Sequence, residues 1–447
     1  MEGQKRGLLP AKAYSEGDVN PLGARAVSAG PAQRNAALAE GYSNVRRTTE
    51  RLCAPLTADD QMVQSTPEAS PVKWHQAHTT WFFETFILAP HLPGYRPFDP
   101  AFRFLFNSYY KQVGTHPLRT IRATFSRPSL EQVQAYRRHV DEKMAQWLAT
   151  GGTEAPELAA LVELGCNHEQ QHQELIVTDL KHAFWTNPLS PAYLNRPIQE
   201  TPAEVPPLRW LDFEGGLHEI GHDGQLFAFD NEGPRHKTYL EPFRLASRLT
   251  TNGEYLEFMN DGGYRRPELW LSDGWDAVQA NHWEAPLYWQ PQDGDWIAYT
   301  LGGLRQVRPE EPVCHVSYYE ADAFARWAGA RLPGEAEWEV AAGGLKVAGN
   351  LLEDQRFHPS PASGSGLAQM YGDVWEWTQS PYTGYPGFRP AEGALGEYNG
   401  KFMCNQLVLR GGSCATPRSH IRATYRNFFP PASRWQFIGI RIANERT

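Results

Sequence analysis

Two histidines four residues apart, in His168-Glu169-Gln170-Gln171-His172, constrain this chain more than any other feature. Residues at i and i+4 of an α-helix lie one turn apart on the same face, so both imidazoles can reach one metal ion. A third histidine, His78, stands in Trp74-His75-Gln76-Ala77-His78-Thr79-Thr80-Trp81. Three imidazoles from two facing helices hold a metal and leave positions on it open for chemistry. A single histidine on an apolar helix face is more often a hydrogen-bonded core residue. The metal reading gains because His78, His168 and His172 all fall on the inward stripes of their own helices. A neutral tris-imidazole set does not itself name the metal, since Zn, Fe(II), Cu and Ni all accept imidazole. His168-Glu169 with His172 also has the bare HExxH form of a zinc protease, a rival that the rest of the chain does not support.

Around these histidines the periodicity predicts four amphipathic helices. Leu38, Tyr42, Val45, Thr49 and Leu52 recur at helical spacing in the first, and Trp74, His78, Trp81 and Thr85 in the second, which opens after Ser70-Pro71. The third starts at Ser129, a good N-cap with Gln132 three residues on, and runs to about Ala149. The fourth runs from about Pro156 to Trp185, with Leu161, Gly165, His168, His172, Leu175 and Asp179 facing inward. On this reading His75, His139 and His182 lie off the stripes and face solvent. Four such helices with one long excursion, residues 90–128, suggest an up-and-down bundle. Pro188, Pro191, Pro197, Pro202, Pro206 and Pro207 then mark an extended linker. Beyond Trp210 the chain turns to short apolar runs and glycine turns, with credible helices only at 251–260 and 318–328. The expected organisation is α+β and multidomain: a leader at 1–32, a helical bundle at 33–186, a linker at 187–208 and a loop-rich domain at 209–447.

At 447 residues the chain is too long for one ordinary domain. A net charge of -9, with acids and bases interspersed, argues against nucleic acid or an anionic membrane as the main partner. No apolar run reaches the roughly 18 residues of a spanning helix. The first 31 residues are rich in Gly, Ala, Pro and Ser and lack an apolar signal core, so they read as a disordered leader. Five cysteines without CxxC spacing fit a reducing, cytoplasmic setting better than a disulfide framework. The 15 Trp, 19 Tyr and 21 Phe crowd the second half, as suits a loop-rich domain pinned by large side chains.

Between the two metal helices lies Asn107-Ser108-Tyr109-Tyr110. Such a loop can fold over the open end of a metal site, where Tyr109 or Tyr110 can give a proton or an electron; simple packing is the equal alternative. Arg119 and Arg122, three apart, can clamp a carboxylate or form a solvated helical turn.

The C-terminal half carries, in order, Thr250-Thr251-Asn252-Gly253-Glu254-Tyr255, Pro312-Val313-Cys314-His315-Val316-Ser317-Tyr318, Ala330-Arg331-Leu332-Pro333-Gly334-Glu335-Ala336-Glu337-Trp338-Glu339, Gly372-Asp373-Val374-Trp375-Glu376-Trp377-Thr378, Leu409-Arg410-Gly411-Gly412-Ser413 and Gly439-Ile440-Arg441. Together these resemble the domain of formylglycine-generating enzymes, a variant of the C-type lectin-like fold, over roughly residues 209–444. Glu376 and Trp377 are read as structural. The bundle resembles the DinB-like metal-binding family. The two domains in this order resemble the ergothioneine-type sulfoxide synthases.

That resemblance implies a mononuclear non-haem Fe(II) enzyme with O2 as co-substrate. Such enzymes join the thiol of cysteine or γ-glutamylcysteine to the imidazole C2 of hercynine and oxidise the sulfur. It assigns His78, His168 and His172 to iron, Gln171 to the substrate imidazole, and Arg119 and Arg122 to the thiol substrate's carboxylate. Asn427 matches the first residue of an Asn-Trp-Asp segment that contacts the trimethylammonium group and the thiol. Here the segment reads Asn427-Phe428-Phe429, so the aspartate is missing and cysteine becomes the expected thiol donor. Phe428 or Phe429 can still receive the quaternary ammonium by cation–π contact. Because Asn107-Ser108-Tyr109-Tyr110 is present, the catalytic tyrosine is expected there, and its loss should favour thiol dioxygenation. An ovothiol-type synthase, which joins cysteine to histidine, is the enzymatic alternative. Formylglycine generation is disfavoured, because no second cysteine follows Cys414. A zinc-dependent DinB-like transferase and a lectin-like binding protein with a structural metal complete the alternatives.

Overall fold

The computed structural model describes residues 31–194 and 204–446. The expected leader therefore lies outside the described residues except for its last two positions, and so does the middle of the expected linker. The four bundle helices fall where the periodicity places them: α1 (Pro31–Cys53), α2 (Val72–Phe83), α3 (Leu130–Ala149) and α4 (Pro156–Trp185). Helix α3 starts with a reciprocal capping box, in which Ser129 accepts from the Gln132 amide and the Gln132 side chain accepts from the Ser129 amide. Leu38, Tyr42, Val45, Thr49 and Leu52 are all buried on α1, and Trp81, Phe82 and Phe83 have no exposure on α2.

Helix α2 runs into a single π turn, Glu84–Leu88. The extra residue in the turn aims Glu84 between the excursion and α3: its carboxylate accepts from the Tyr95 hydroxyl at 2.6 Å and the Phe98 amide at 3.0 Å on one side and from the Tyr136 hydroxyl of α3 at 2.6 Å on the other. The excursion is thus tied to the bundle by a buried acid.

The C-terminal half is built from small sheets. One contains β1 (Trp210–Phe213), β4 (Phe243–Ala246) and β12 (Ala443–Glu445), in the order β1-β4-β12. Strands β2 (Gly216–Ile220) and β3 (His236–Leu240) form a ribbon. Strands β5 (Trp289–Gln292), β6 (Asp295–Thr300) and β7 (Gly303–Gln306) form a meander. The fourth sheet orders β10 (Asn427–Phe429), β9 (Leu407–Arg410), β8 (Trp375–Pro381) and β11 (Ile438–Gly439). Two helices expected here are present, α5 (Asn252–Asn260) and α7 (Tyr318–Trp327). Two more, α6 (Ser272–Asn281) and α8 (Glu335–Ala342), were not expected. Both are short, and each follows or contains a glycine that breaks the sequence signal.

The sequence phrases of this half are its fasteners. Glu376 and Arg441 are both fully buried and pair at 2.7 Å, with the Trp338 indole donating to the same carboxylate at 2.9 Å. The Trp377 indole donates to the Val316 carbonyl at 3.0 Å. Glu335 receives Arg410 and Arg426. At Gly411, with φ +86°, a Cβ would meet the Met370 carbonyl oxygen at 2.7 Å, so only glycine fits.

Helix α4 joins the halves. On its bundle side, buried Glu169 accepts from Arg46 at 2.8 Å, Arg137 at 2.5 Å and the Thr49 hydroxyl at 2.6 Å. On its other side, buried Glu174 accepts from the Trp375 indole, Ser413 and Thr416 at 2.8, 2.5 and 2.7 Å. No helix among the described residues is long and apolar enough to cross a membrane.

Burial alone would raise the Glu169 pKa, but Arg137 and Arg46 lower it to about 2. A depressed acid stabilises the fold above its unfolded pKa and stops doing so as pH falls through the folded value. Glu169→Gln should therefore destabilise the protein by about 3–5 kcal/mol at neutral pH, by removing the carboxylate charge that two buried guanidinium groups share, although Arg46 keeps Asp141. Denaturant unfolding of both proteins checks this. The difference should shrink below pH 4.5 and vanish near pH 2.

Candidate metal centre

The structure brings His78 of α2 together with His168 and His172 of α4, with one ligand atom of each lying within 4.8 Å of the others. The i, i+4 spacing sets two rings edge to face on one side of α4 (centroids 4.6 Å apart), and His78 closes the triangle at 5.0 and 4.9 Å. His78 donates from Nδ1 to the Phe106 carbonyl at 2.6 Å, which leaves the lone pair on Nε2. That Nε2 and both nitrogens of His168 are buried without a hydrogen-bond partner. Buried orphaned nitrogens are costly, and an ion in the triangle would satisfy them.

Burial pushes all three imidazole pKa values down, that of His168 to about 3, and those of His78 and His172 fall further through their neighbouring histidines. The rings are therefore neutral near pH 7, as metal ligation requires. Trp74 stacks on His78 at 4.5 Å, Trp81 stacks on its other side at 5.5 Å, and Phe82 lies 5.0 Å from His168. These faces cover the His78 ring on both sides and one side of His168. Glu169 points away from it into Arg46 and Arg137, so it is not placed as the base of a zinc protease.

Gln171, between the two histidines, faces the C-terminal half. Its amide nitrogen donates to the Tyr425 hydroxyl at 2.7 Å, and its oxygen accepts from the Tyr398 hydroxyl. The Tyr398 ring lies 5.6 Å from His168. Tyr425 in turn meets His420 Nε2 at 3.0 Å, and His420 Nδ1 meets the Asn167 side-chain oxygen at 3.0 Å. The donors run in one direction through this chain, so the amide of Gln171 is held in one orientation.

The loop after α2 folds over the same region. Phe106 supplies the carbonyl for His78, and Asn107 binds the Tyr110 backbone from both ends, at 3.1 and 3.0 Å. Tyr110 is buried against Trp81 and Phe86 (5.6 and 5.3 Å) and stacks on Tyr109. Tyr109 packs edge-on against Phe402 at 5.3 Å, under Lys401. The two arginines part company. Arg122 is buried, with its guanidinium 3.4 Å over Trp74 and bonds to Ser70 and Ser108 at 2.8 and 2.9 Å. Arg119 is exposed and, among the described residues, its side chain reaches the Glu68 carbonyl. On β10, Asn427 accepts from the Phe428 amide, Phe428 stacks on Tyr382 at 4.0 Å, and Phe429 packs on Trp435 at 5.5 Å.

One expectation fails outright. His75 is 2% exposed and lies 2.7 Å from His172, not at the surface. His139 and His182 are half-buried, and His182 meets the Ser65 hydroxyl at 2.7 Å. Helix α2 is buried around its whole circumference, so stripe logic has no outer face to assign there. Tyr398 and Tyr425 were also missed: they sit in irregular segments, where the aromatic excess was the only signal.

The fold and site define a class: a helical bundle with three clustered histidines that could hold a metal ion, joined to a lectin-like domain that closes over them. Residues 42–176 match the DinB superfamily, and residues 200–360 and 355–446 match the sulfatase-modifying factor enzyme 1-like domain. The hercynine oxygenase of Mycolicibacterium thermoresistibile is 32% identical over 449 residues, spanning 91% of this chain and 94% of that protein. That of Mycolicibacterium smegmatis is 35% identical over 309 residues, 62% of this chain and 70% of that protein. The formylglycine-generating enzyme of Bos taurus is 26% identical, covering 66% and 90%. The chain belongs to the hercynine oxygenase family.

A metal at the triangle should bind one per chain and raise the unfolding temperature. At a free concentration a hundred times Kd the stabilisation is about 2.7 kcal/mol. His168→Ala should abolish both, as metal analysis and a thermal melt with and without the ion will show.

Proposed function

We propose that this chain is a mononuclear non-haem Fe(II) sulfoxide synthase. It joins the thiol of cysteine to the imidazole C2 of hercynine and oxidises the sulfur, with one O2 consumed and one water released. The product is a hercynylcysteine sulfoxide on the way to ergothioneine. The observation that carries this reading is a triangle of neutral histidines, two with hydrogen-bond-orphaned nitrogens, beside a glutamine amide held by two tyrosines. The family membership supports an oxygenase acting on hercynine.

His78, His168 and His172 would hold the iron, which would supply the redox chemistry with O2 that side chains cannot. The chain's own groups do the rest. Gln171 orients the substrate imidazole, since its amide cannot rotate without breaking bonds to Tyr398 and Tyr425. Arg122, buried and already planar on Trp74, takes the cysteine carboxylate, with Arg119 at the rim. Asn427, Phe428 and Phe429 line the side that receives the trimethylammonium group and leave no aspartate for a γ-glutamyl arm. Tyr109 or Tyr110 delivers the proton or electron that turns the reaction from thiol dioxygenation to C–S bond formation. We take residues 33–186 and 209–447 as the two functional domains and, from the five unbridged cysteines, a reducing cytoplasmic compartment as the setting.

The test is O2 uptake by Fe(II)-loaded protein with hercynine and either thiol, with products read by mass spectrometry. The expected result is a sulfoxide adduct formed mainly with cysteine. An adduct with histidine but none with hercynine would move the protein to the ovothiol side, and no O2 uptake with any pair would refute the oxygenase. In the same assay, Tyr109→Phe or Tyr110→Phe should slow adduct formation by about 10²-fold or more and divert cysteine to its sulfinate.

A further inference from the structure

His75 carries a role that neither the motif nor the metal triangle assigns. Its Nδ1 lies 2.7 Å from His172 Nδ1, and its Nε2 lies 3.1 Å from Asp179 Oδ2. Asp179 is buried and surrounded by donors. Oδ2 also accepts from the Ser70 amide at 2.9 Å, and Oδ1 from the Trp435 indole at 3.2 Å.

Proton positions in this chain follow from the acceptor at its end. Both Asp179 oxygens already accept, from the Ser70 amide and the Trp435 indole, so His75 Nε2 is the donor in its contact with Oδ2. With its proton on Nε2, His75 presents the Nδ1 lone pair to His172. The contact between the two Nδ1 atoms needs one proton, which must come from His172. With Nδ1 of His172 protonated, its lone pair lies on Nε2.

We infer that Asp179 and His75 are positioning residues that hold His172 as the Nδ1–H tautomer, with Nε2 committed to the metal. This rests on the metal-centre reading above. The Phe106 carbonyl does the same for His78 through a single bond. For His172 the device is longer and runs out to the C-terminal half, because Trp435 holds the carboxylate that sets the protons. Docking of that half and metal affinity at α4 are therefore linked through four side chains. Outer partners of metal-bound histidines fix ring orientation and raise ligand basicity, and their loss weakens metal binding about 10- to 100-fold.

The test reads metal affinity and a spectrum rather than turnover. Co(II) is titrated anaerobically into the metal-free full chain, and its ligand-field bands are recorded. His75→Leu and Asp179→Asn should each weaken Co(II) binding about 10- to 100-fold and shift the bands. His75→Asn should recover most of the affinity, because its Oδ1 falls where Nδ1 stood and accepts the His172 proton. Asp179→Asn is isosteric and carries the test if His75→Leu does not fold. Lowered unfolding temperatures in the metal-free variants with wild-type Co(II) affinity and bands would make His75 merely structural and overturn the inference alone. Failure of the unaltered protein to bind Co(II), or binding that survives His168→Ala, would remove the metal centre and this inference with it.

Discussion

A helix buried on nearly every side must satisfy polar groups in several directions at once, and α4 is such a helix over most of its 30 residues. Successive side chains turn by about 100°, so neighbours in sequence face different surroundings. Glu169 enters a buried ion pair in the bundle, His168 and His172 face the histidine triangle, and Gln171 and Glu174 bond to the C-terminal half. Each buried polar group left without a partner would cost about 1–3 kcal/mol. The two halves therefore cannot shift past each other without breaking the surroundings of the site.

The same burial sets the chemistry. Removing water keeps the imidazoles neutral and their lone pairs free, yet it also leaves orphaned nitrogens in the fold. A site of this kind is a local weakness until a ligand fills it, which is how strain and function commonly coincide. The aromatic walls, Trp74, Trp81 and Phe82, give packing energy around the triangle without competing for the lone pairs.

Much of this was legible in the sequence. The four bundle helices followed from spacing and from one capping box, since local rules govern long amphipathic segments. The histidine triangle followed from an i, i+4 pair and one more inward histidine. The lectin-like half was readable as ordered phrases, and the structure shows why: they are buried fasteners such as Glu376–Arg441 and Arg410–Glu335. What escaped lay where periodicity says nothing. His75 was misassigned because α2 has no solvent face. Tyr398 and Tyr425 reach Gln171 from irregular segments more than two hundred residues away in sequence. Arg119 and Arg122 looked equivalent, but the turn that carries them buries one and exposes the other.

The most direct test of the account is anomalous diffraction at the iron edge from crystals grown anaerobically with Fe(II). One peak is predicted, bonded to nitrogens of His78, His168 and His172 at about 2.0–2.2 Å, the range of first-row metal–imidazole bonds. No peak at the triangle, or a peak elsewhere with the three imidazoles unliganded, would contradict it.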